Sequence, residues 1–242
     1  MNSKSQKPYE CLSGSVLKVI AAVAMLIDHF GASILIYDPQ AFEPYFYFLG
    51  APIGLYRLCR DLGRIAFPIF CFLLTEGFIH TSNRLRYARN LLIFALISEI
   101  PFSMMLNDLG NFQKQNTLFT LLLGFLAIWG VEYFSSRPWA QVLCALAAMS
   151  AAYFLKTDYD WKGILLILIF FLFHYYRNTQ VIVAGLALLW EWKACFALIS
   201  IRMYNGERGF LRGKIGKYFF YLFYPLHLIL LVVLRRLLLG PV

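Results

Sequence analysis

A succession of apolar runs separated by short polar loops dominates the chain, and this pattern restricts it to folds built in a lipid bilayer. The runs fall at about 16–36, 45–56, 65–79, 90–106, 117–134, 139–155, 163–176, 180–204 and 217–239. Because lipid offers backbone groups no water partner, runs of this kind predict helices. We therefore predict an all-α polytopic integral membrane protein, a bundle of eight or nine membrane helices that forms one transmembrane domain over residues 1–242.

Composition points in the same direction. Hydrophobic residues make up 60% of the chain and charged residues 14%, whereas a soluble domain normally has about 25% charged residues. The net charge of +9 comes from Lys and Arg clustered between apolar runs, which indicates a topology signal and no nucleic-acid partner. The five cysteines show no CxxC spacing, so neither a disulfide framework nor a metal site is indicated.

The basic residues also predict how the chain is oriented. Lys4 and Lys7 precede the first run, which holds Asp28 and His29 and lacks a small-x-small cleavage site, so we interpret it as a retained span rather than a signal peptide. The basic loops 80–90 and 205–217 are expected in the cytoplasm together with the N-terminus. The chain is then a multi-pass protein of the plasma (inner) membrane, with the loop 37–50 outside.

Two runs are too irregular for a simple span. The run 45–56 is short. It follows Pro44 and contains Tyr45, Tyr47 and Pro52, which indicates a re-entrant or interfacial segment. The run 180–204 is interrupted by charges at 191 and 193, so it is either one long span with a buried charge pair or a hairpin of two short helices. The chain is expected in the cytoplasm at both ends of this run, which requires an even number of membrane crossings and therefore favours the hairpin.

Ionisable side chains inside apolar runs are costly, so each requires a partner or a role. The set comprises Asp28, His29, Glu76, Glu99 and His227. His29 is suited to act as general base, because the unperturbed pKa of histidine lies nearest neutrality, and a carboxylate of Asp28 or Glu99 would fix its tautomer. His227 is the second candidate. The alternative for both histidines is a buried, satisfied side chain that only holds helices together.

Three further groups have two interpretations each. Arg57, Arg60 and Arg64 share one helical face on the outer side, where they bind either a diphosphate or lipid headgroups. The Asn-Gly pair at 205–206 predicts a tight turn, with or without a role in binding phosphate. The polar residues that open the run 117–134 are a helix cap or the wall of a polar pocket.

The residues singled out above belong to a recognisable set of motifs. They are IDHFG at 27–31, GRIAFPIF at 63–70, EGFIHT at 76–81, ISEIPF at 97–102, YNGERG at 204–209, KYFFY at 217–221 and YPLH at 224–227. In this order and together, they make the chain similar to the TraX family of F-pilin acetylation proteins over about residues 16–230.

The resemblance implies an integral membrane acetyltransferase that moves an acetyl group from acetyl-CoA to an acceptor. The acceptor is an amine, such as a pilin N-terminal amine or another protein amine, or a hydroxyl, including that of a glycan. For such a transferase, the catalytic candidates are His29, Asp28, Glu99 and His227, the acetyl-CoA-binding candidates are Arg64, Asn205, Arg208, Arg212 and Lys214, and no metal is expected.

Two other classes of protein remain open from the residues alone. A small proton-coupled transporter would use Asp28, His29, Glu76 and Glu99 as a proton relay. It would not account for the YNGERG turn, and no inverted repeat is visible. A membrane scaffold without chemistry would leave the buried charges without a role.

Overall fold

The protein folds as a bundle of helices. A computed structural model describes residues 9–107, 109, 113–211 and 213–240, without the side chains of residues 214, 215 and 217. The helices are α1 (Gly14–Ser33), α2 (Leu55–Gly63), α3 (Ala66–His80), α4 (Arg84–Met105), α5 (Thr117–Tyr133), α6 (Pro138–Phe154), α7 (Asp160–Leu172), α8 (Arg177–Ala187), α9 (Ala197–Arg202) and α10 (Gly213–Leu239). Strands β1 (Phe46–Phe48) and β2 (Ala51–Ile53) form a hairpin between α1 and α2.

Four stretches in the described part of the chain are long and apolar enough to cross a membrane: Gly14–Tyr37, Leu55–His80, Arg84–Met105 and Tyr218–Leu239. The helical membrane class is therefore confirmed, but eight or nine spans are not supported. Hydropathy records apolar side chains and not the length of the helix that carries them. The 13 residues of α7 extend only about 20 Å, against a hydrocarbon thickness of about 30 Å.

The N-terminal segment and the loop after α9 meet at one end of the bundle, here called the N-terminal face. Ser13 caps α1 by accepting from the Val16 amide. The amides of Gly14 and Ser15 donate to the carbonyls of Glu207 and Arg208. The opposite end, where α1 ends and α2 begins, is called the far face.

The run 180–204 folds as the predicted hairpin. Helix α8 is followed by a 3-10 segment (Leu189–Phe196) with a kink at Glu191, and α9 then packs against α8. Arg177, which opens α8, lies 5.5 Å from the ring centre of Tyr204, just after α9. Both ends of the hairpin therefore lie at the N-terminal face, and its tip carries Glu191 and Lys193.

Helix α10 is fastened to α4 at the far face. The buried guanidinium of Arg235 donates to the carbonyls of Met104 and Met105 and to Oδ1 of Asn107, which ties α10 to the C-terminal end of α4. Helix α10 also packs against α1. This arrangement brings the middle of α10 beside the second half of α1, where the candidate catalytic residues lie.

Candidate active site

Two histidines from opposite ends of the sequence meet inside the bundle. Nδ1 of His29 in α1 lies 2.7 Å from Nε2 of His227 in α10, and both side chains are buried. The rings are parallel within 3°, with their centres 5.0 Å apart. Tyr224 lies edge-on to both rings. We call the two histidines the His29–His227 dyad.

The surroundings of His227 fix the tautomers of the neutral dyad. Nδ1 of His227 lies 2.7 Å from the carbonyl oxygen of Phe223, which can only accept, so this nitrogen carries the proton. Nε2 of His227 is then an acceptor and receives a hydrogen bond from Nδ1–H of His29. The lone pair of His29 is consequently on Nε2, the atom that can take a proton or attack a carbonyl carbon.

Asp28 does not orient the neighbouring histidine. Its carboxylate accepts from Arg60 of α2 at 2.6 Å, and the same guanidinium donates to the Asp28 carbonyl at 3.3 Å. Gly63 makes this approach possible, because a Cβ at Gly63 would lie 2.2 Å from the Cβ of Asp28. The role predicted for a carboxylate partner of His29 is therefore taken by His227, and Asp28 anchors α1 to α2.

Glu99 lies in a second polar cluster, at the start of α5. Its Oε2 accepts from the side chain of Asn116 at 2.5 Å and from the Asn116 backbone amide at 3.2 Å. Asn116 also caps α5 through the Leu118 amide, which confirms the cap, and its side chain joins Glu99 in this polar cluster. In the described part of the chain, the Glu99 carboxylate contacts Asn116 and not His29, so its position favours support of the α5 terminus.

The residues predicted to bind acetyl-CoA do not form one site. Arg64 pairs with Glu191 at the hairpin tip, 3.5 Å away, close to Asp28. Asn205 and Arg208 lie at the N-terminal face, where the Arg208 carbonyl accepts from the Ser15 hydroxyl. Asp28 and Ser15 are separated by about 20 Å of helix α1.

The turn at 204–209 is held to the start of α1 through its backbone. Oδ1 of Asn205 accepts from the Glu207 amide, which is the arrangement of a plain Asx turn. Gly209 has φ +83°, and a Cβ there would lie 2.2 Å from the Ser13 hydroxyl. The Arg208 side chain is exposed to solvent. Arg212 lies outside the described residues, as does the side chain of Lys214.

Comparison with known proteins gives the relationship of the chain. A family model described as TraX protein matches residues 13–235. The chain belongs to the TraX family. A relative from Dichelobacter nodosus, named probable fimbrial assembly protein FimC of serogroup H1, is 32% identical over 246 residues, which cover 89% of this chain and 92% of the relative. No solved structure shows a significant match.

Five of the seven motifs gather at two places in the fold. Motifs 27–31 and 224–227 form the His29–His227 dyad, with motif 63–70 beside it through Gly63 and Arg64. Motifs 76–81 and 204–209 meet near the N-terminal face, where the Tyr204 hydroxyl bonds to Glu76. Burial raises the pKa of Tyr204 above its ordinary value, and Glu76 acts in the same direction. Glu76 therefore has a partner distant from the dyad.

Sequence reasoning missed several residues around these places. Asp158, in the loop before α7, accepts from the Thr117 hydroxyl at 2.8 Å and pairs with Lys114 at 2.7 Å. Arg177 stacks over Phe72, 4.7 Å from its ring centre. Loop residues such as Asp158 give no periodic signal in the sequence. Only the packing of α5 against α7 brings their partners close.

Proposed function

We propose that this TraX protein is an integral membrane acetyltransferase that moves an acetyl group from acetyl-CoA to an amine or hydroxyl acceptor. The observation that carries the proposal is the 2.7 Å contact between Nδ1 of His29 and Nε2 of His227. Together with the Phe223 carbonyl, this contact leaves a basic nitrogen on His29 inside the bundle. The family relationship supports the same class of chemistry.

In the reaction, Nε2 of His29 takes the proton of the acceptor N–H or O–H group. The acceptor atom attacks the thioester carbonyl carbon and forms the new C–N or C–O bond. The C–S bond then breaks, and the CoA thiolate takes the proton from the imidazolium. A variant of this route, in which Nε2 itself is acetylated before the acceptor arrives, gives the same products in two steps.

The proposal assigns different ends of the molecule to the two substrates. Acetyl-CoA enters from the N-terminal face, where the 205–217 loop contains Arg208 and where positive charge suits a diphosphate. The acceptor enters from the far face. The name of the Dichelobacter relative, a fimbrial assembly protein, supports a pilus subunit as one source of the acceptor amine. The protein then acts in the plasma (inner) membrane.

The test is the formation of acetylated product from isotope-labelled acetyl-CoA by the purified protein in lipid nanodiscs, with candidate peptides and sugars as acceptors. His29→Gln is expected to lower kcat/KM by about 10²- to 10⁴-fold, because the general base is lost. His174→Gln is the control, since it makes the same change at a histidine just after α7, where Nδ1 bonds the Phe171 carbonyl and not a second histidine.

Full activity of the His29→Gln protein would remove His29 from the mechanism. Proton flux that depends on His29, in the absence of any acetylated product, would replace the transferase with the transporter. Rapid-quench detection of acetyl on His29 before the acceptor is added would select the two-step route.

A further inference from the structure

The hairpin at the far face exposes a concentration of aromatic side chains. We call residues 45–53 the aromatic hairpin; β1 and β2 pair in it antiparallel, with Phe46 opposite Ile53 and Phe48 opposite Ala51. Tyr45 and Tyr47 are 69% and 70% exposed, and all three residues of β1 are exposed. Apolar surface of this kind marks a site of interaction.

Both faces of the aromatic hairpin are apolar. Because side chains alternate along a strand, Phe46 and Phe48 point to one face, and Tyr47 and Pro52 to the other. A hairpin that docks on a protein surface would bury one face and leave the other in water. Apolar side chains on both faces, and no charged residue between positions 44 and 56, instead fit a surrounding apolar medium.

The tip of the hairpin supports the same interpretation. Leu49 and Gly50 have φ of 49° and 76°, the signs of a two-residue type I′ turn. Asn or Asp is the usual first residue of such a turn, whereas a leucine with positive φ is strained by roughly 1–2 kcal/mol. Leu49 is nevertheless there and is 85% exposed. The exposed leucine side chain can offset the strain of its backbone only where its surroundings are apolar.

The position of the hairpin places it at the membrane boundary. It connects the candidate spans Gly14–Tyr37 and Leu55–His80, so its base lies where both spans end. Gly54 fixes that base, because a Cβ there would lie 2.7 Å from the Ala41 carbonyl. A hairpin has unpaired backbone groups on its outer edges, so its base stays in the hydrated interfacial layer and only its tip can enter the apolar part of the leaflet.

We propose that the aromatic hairpin inserts its Leu49 tip into the phospholipid leaflet at the far face. The tyrosines lie at the headgroup level, as aromatic residues do at membrane interfaces. Asp38 and Glu43 on one side and Arg57 on the other remain in the headgroup and water layer. The hairpin is thus a lipid-binding element beside the end of the bundle where Arg60 holds Asp28.

The test replaces Leu49 with the photoreactive residue p-benzoylphenylalanine in the full chain, in cell membranes, and identifies the adducts by mass spectrometry. Leu49→p-benzoylphenylalanine is expected to give phospholipid adducts in a yield similar to that at Leu230, an exposed residue in the middle of the span Tyr218–Leu239. The same probe at Ser136, in the exposed loop between α5 and α6, is the control for background. Protein adducts at position 49, or the background of Ser136, would overturn the proposal.

A second variant separates lipid insertion from hairpin folding. With the probe at Tyr47, the added change Leu49→Asp is expected to reduce the phospholipid adduct to the Ser136 background, because a carboxylate is costly in lipid. Asp-Gly is a preferred type I′ turn, so the hairpin itself is retained. An adduct yield at Tyr47 that is unchanged by Leu49→Asp would show that the tip does not insert.

Discussion

The His29–His227 dyad uses a neutral partner where many catalytic histidines have a carboxylate. A carboxylate next to His29 would stabilise the imidazolium but would add a charge that is costly to bury. His227 orients the ring without adding charge, and the nearby carboxylate of Asp28 is neutralised by Arg60. His227 is therefore a positioning residue in the proposed reaction, and it acts by selecting the tautomer of His29.

This role of His227 predicts a difference between two substitutions. His227→Leu removes the acceptor for Nδ1–H of His29, and we expect kcat/KM to fall by about 10²-fold or more, since a histidine in the wrong tautomer is a poor base. His227→Gln retains an amide oxygen that can accept, and it is expected to recover much of the activity. Thermal unfolding of both variants controls for folding. Equal losses in Leu and Gln variants that are both folded would contradict the tautomer argument.

The residues of the dyad could be predicted from the sequence, but their contact could not. His29 and His227 are each conspicuous because an ionisable group in an apolar run requires a role. They lie 198 positions apart, and only the packing of α10 against α1 determines that they meet. For the same reason, the sequence favours Asp28 as a partner of His29, its neighbour in the chain, whereas its partner in the fold is Arg60.

Among the helices, the tip of the α8–α9 hairpin is joined to α2 and to the residue just after it by two ion pairs of opposite sense. Arg64 pairs with Glu191, and Lys193 pairs with Asp61 at 2.5 Å. Asp61 has a second cation, Arg57, at 3.9 Å, whereas the acidic partner of Lys193 is Asp61. The kink at Glu191 turns the chain between the two pairs, so the pairs fix the depth that the hairpin reaches.

Because Asp61 and Lys193 differ in their number of ion-pair partners, we expect their substitutions to lower the free energy of unfolding by different amounts. Asp61→Asn leaves Lys193 without its carboxylate, and we expect a loss of about 1–3 kcal/mol in the free energy of unfolding, reduced from the fully buried case because both side chains are partly exposed. Lys193→Met leaves Asp61 paired with Arg57 and is expected to cost less. Denaturant unfolding in detergent micelles measures both. A larger loss for Lys193→Met would contradict this account.

At this scale the sequence predicts helices well but their lengths poorly. The apolar runs coincide with α4, α5, α6 and α10, and the charge interruption at 191–193 predicts the hairpin turn. Apolar residues continue beyond helix ends, however, as in the aromatic hairpin, where the run 45–56 becomes two strands and the start of α2. Hydropathy alone cannot distinguish a membrane helix from an apolar hairpin, because a leucine has the same hydropathy in both.

Over the whole molecule, the candidate groups are divided between two ends. The dyad and the pairs around Asp28 lie towards the far face, whereas Asn205 and Arg208 lie at the N-terminal face. A donor that binds at the N-terminal face must extend an arm inward along the bundle to reach His29. The proposed reaction therefore needs substrates that approach from opposite sides.

This division gives a prediction for acetyl-CoA binding. Arg208→Gln is expected to raise the Kd for acetyl-CoA by about tenfold or more, since a hydrogen bond to a charged group contributes about 1.5–3 kcal/mol. The Kd for the acceptor should not change. Arg86→Gln removes one exposed charge from the first turn of α4 and is the matched control. Equal effects of the two substitutions in a binding titration would place the nucleotide elsewhere.

The hairpin of α8 and α9 also has a consequence for how the chain is made. Its two ends lie at the same face, so its insertion during synthesis carries only the short tip with Glu191 and Lys193 into the bilayer. Lys193 follows Asp61 by 132 positions, and α2 has therefore left the ribosome long before the hairpin emerges. The charges at the hairpin tip then meet partners that are already in the membrane, which makes the order of translation part of the assembly of the protein.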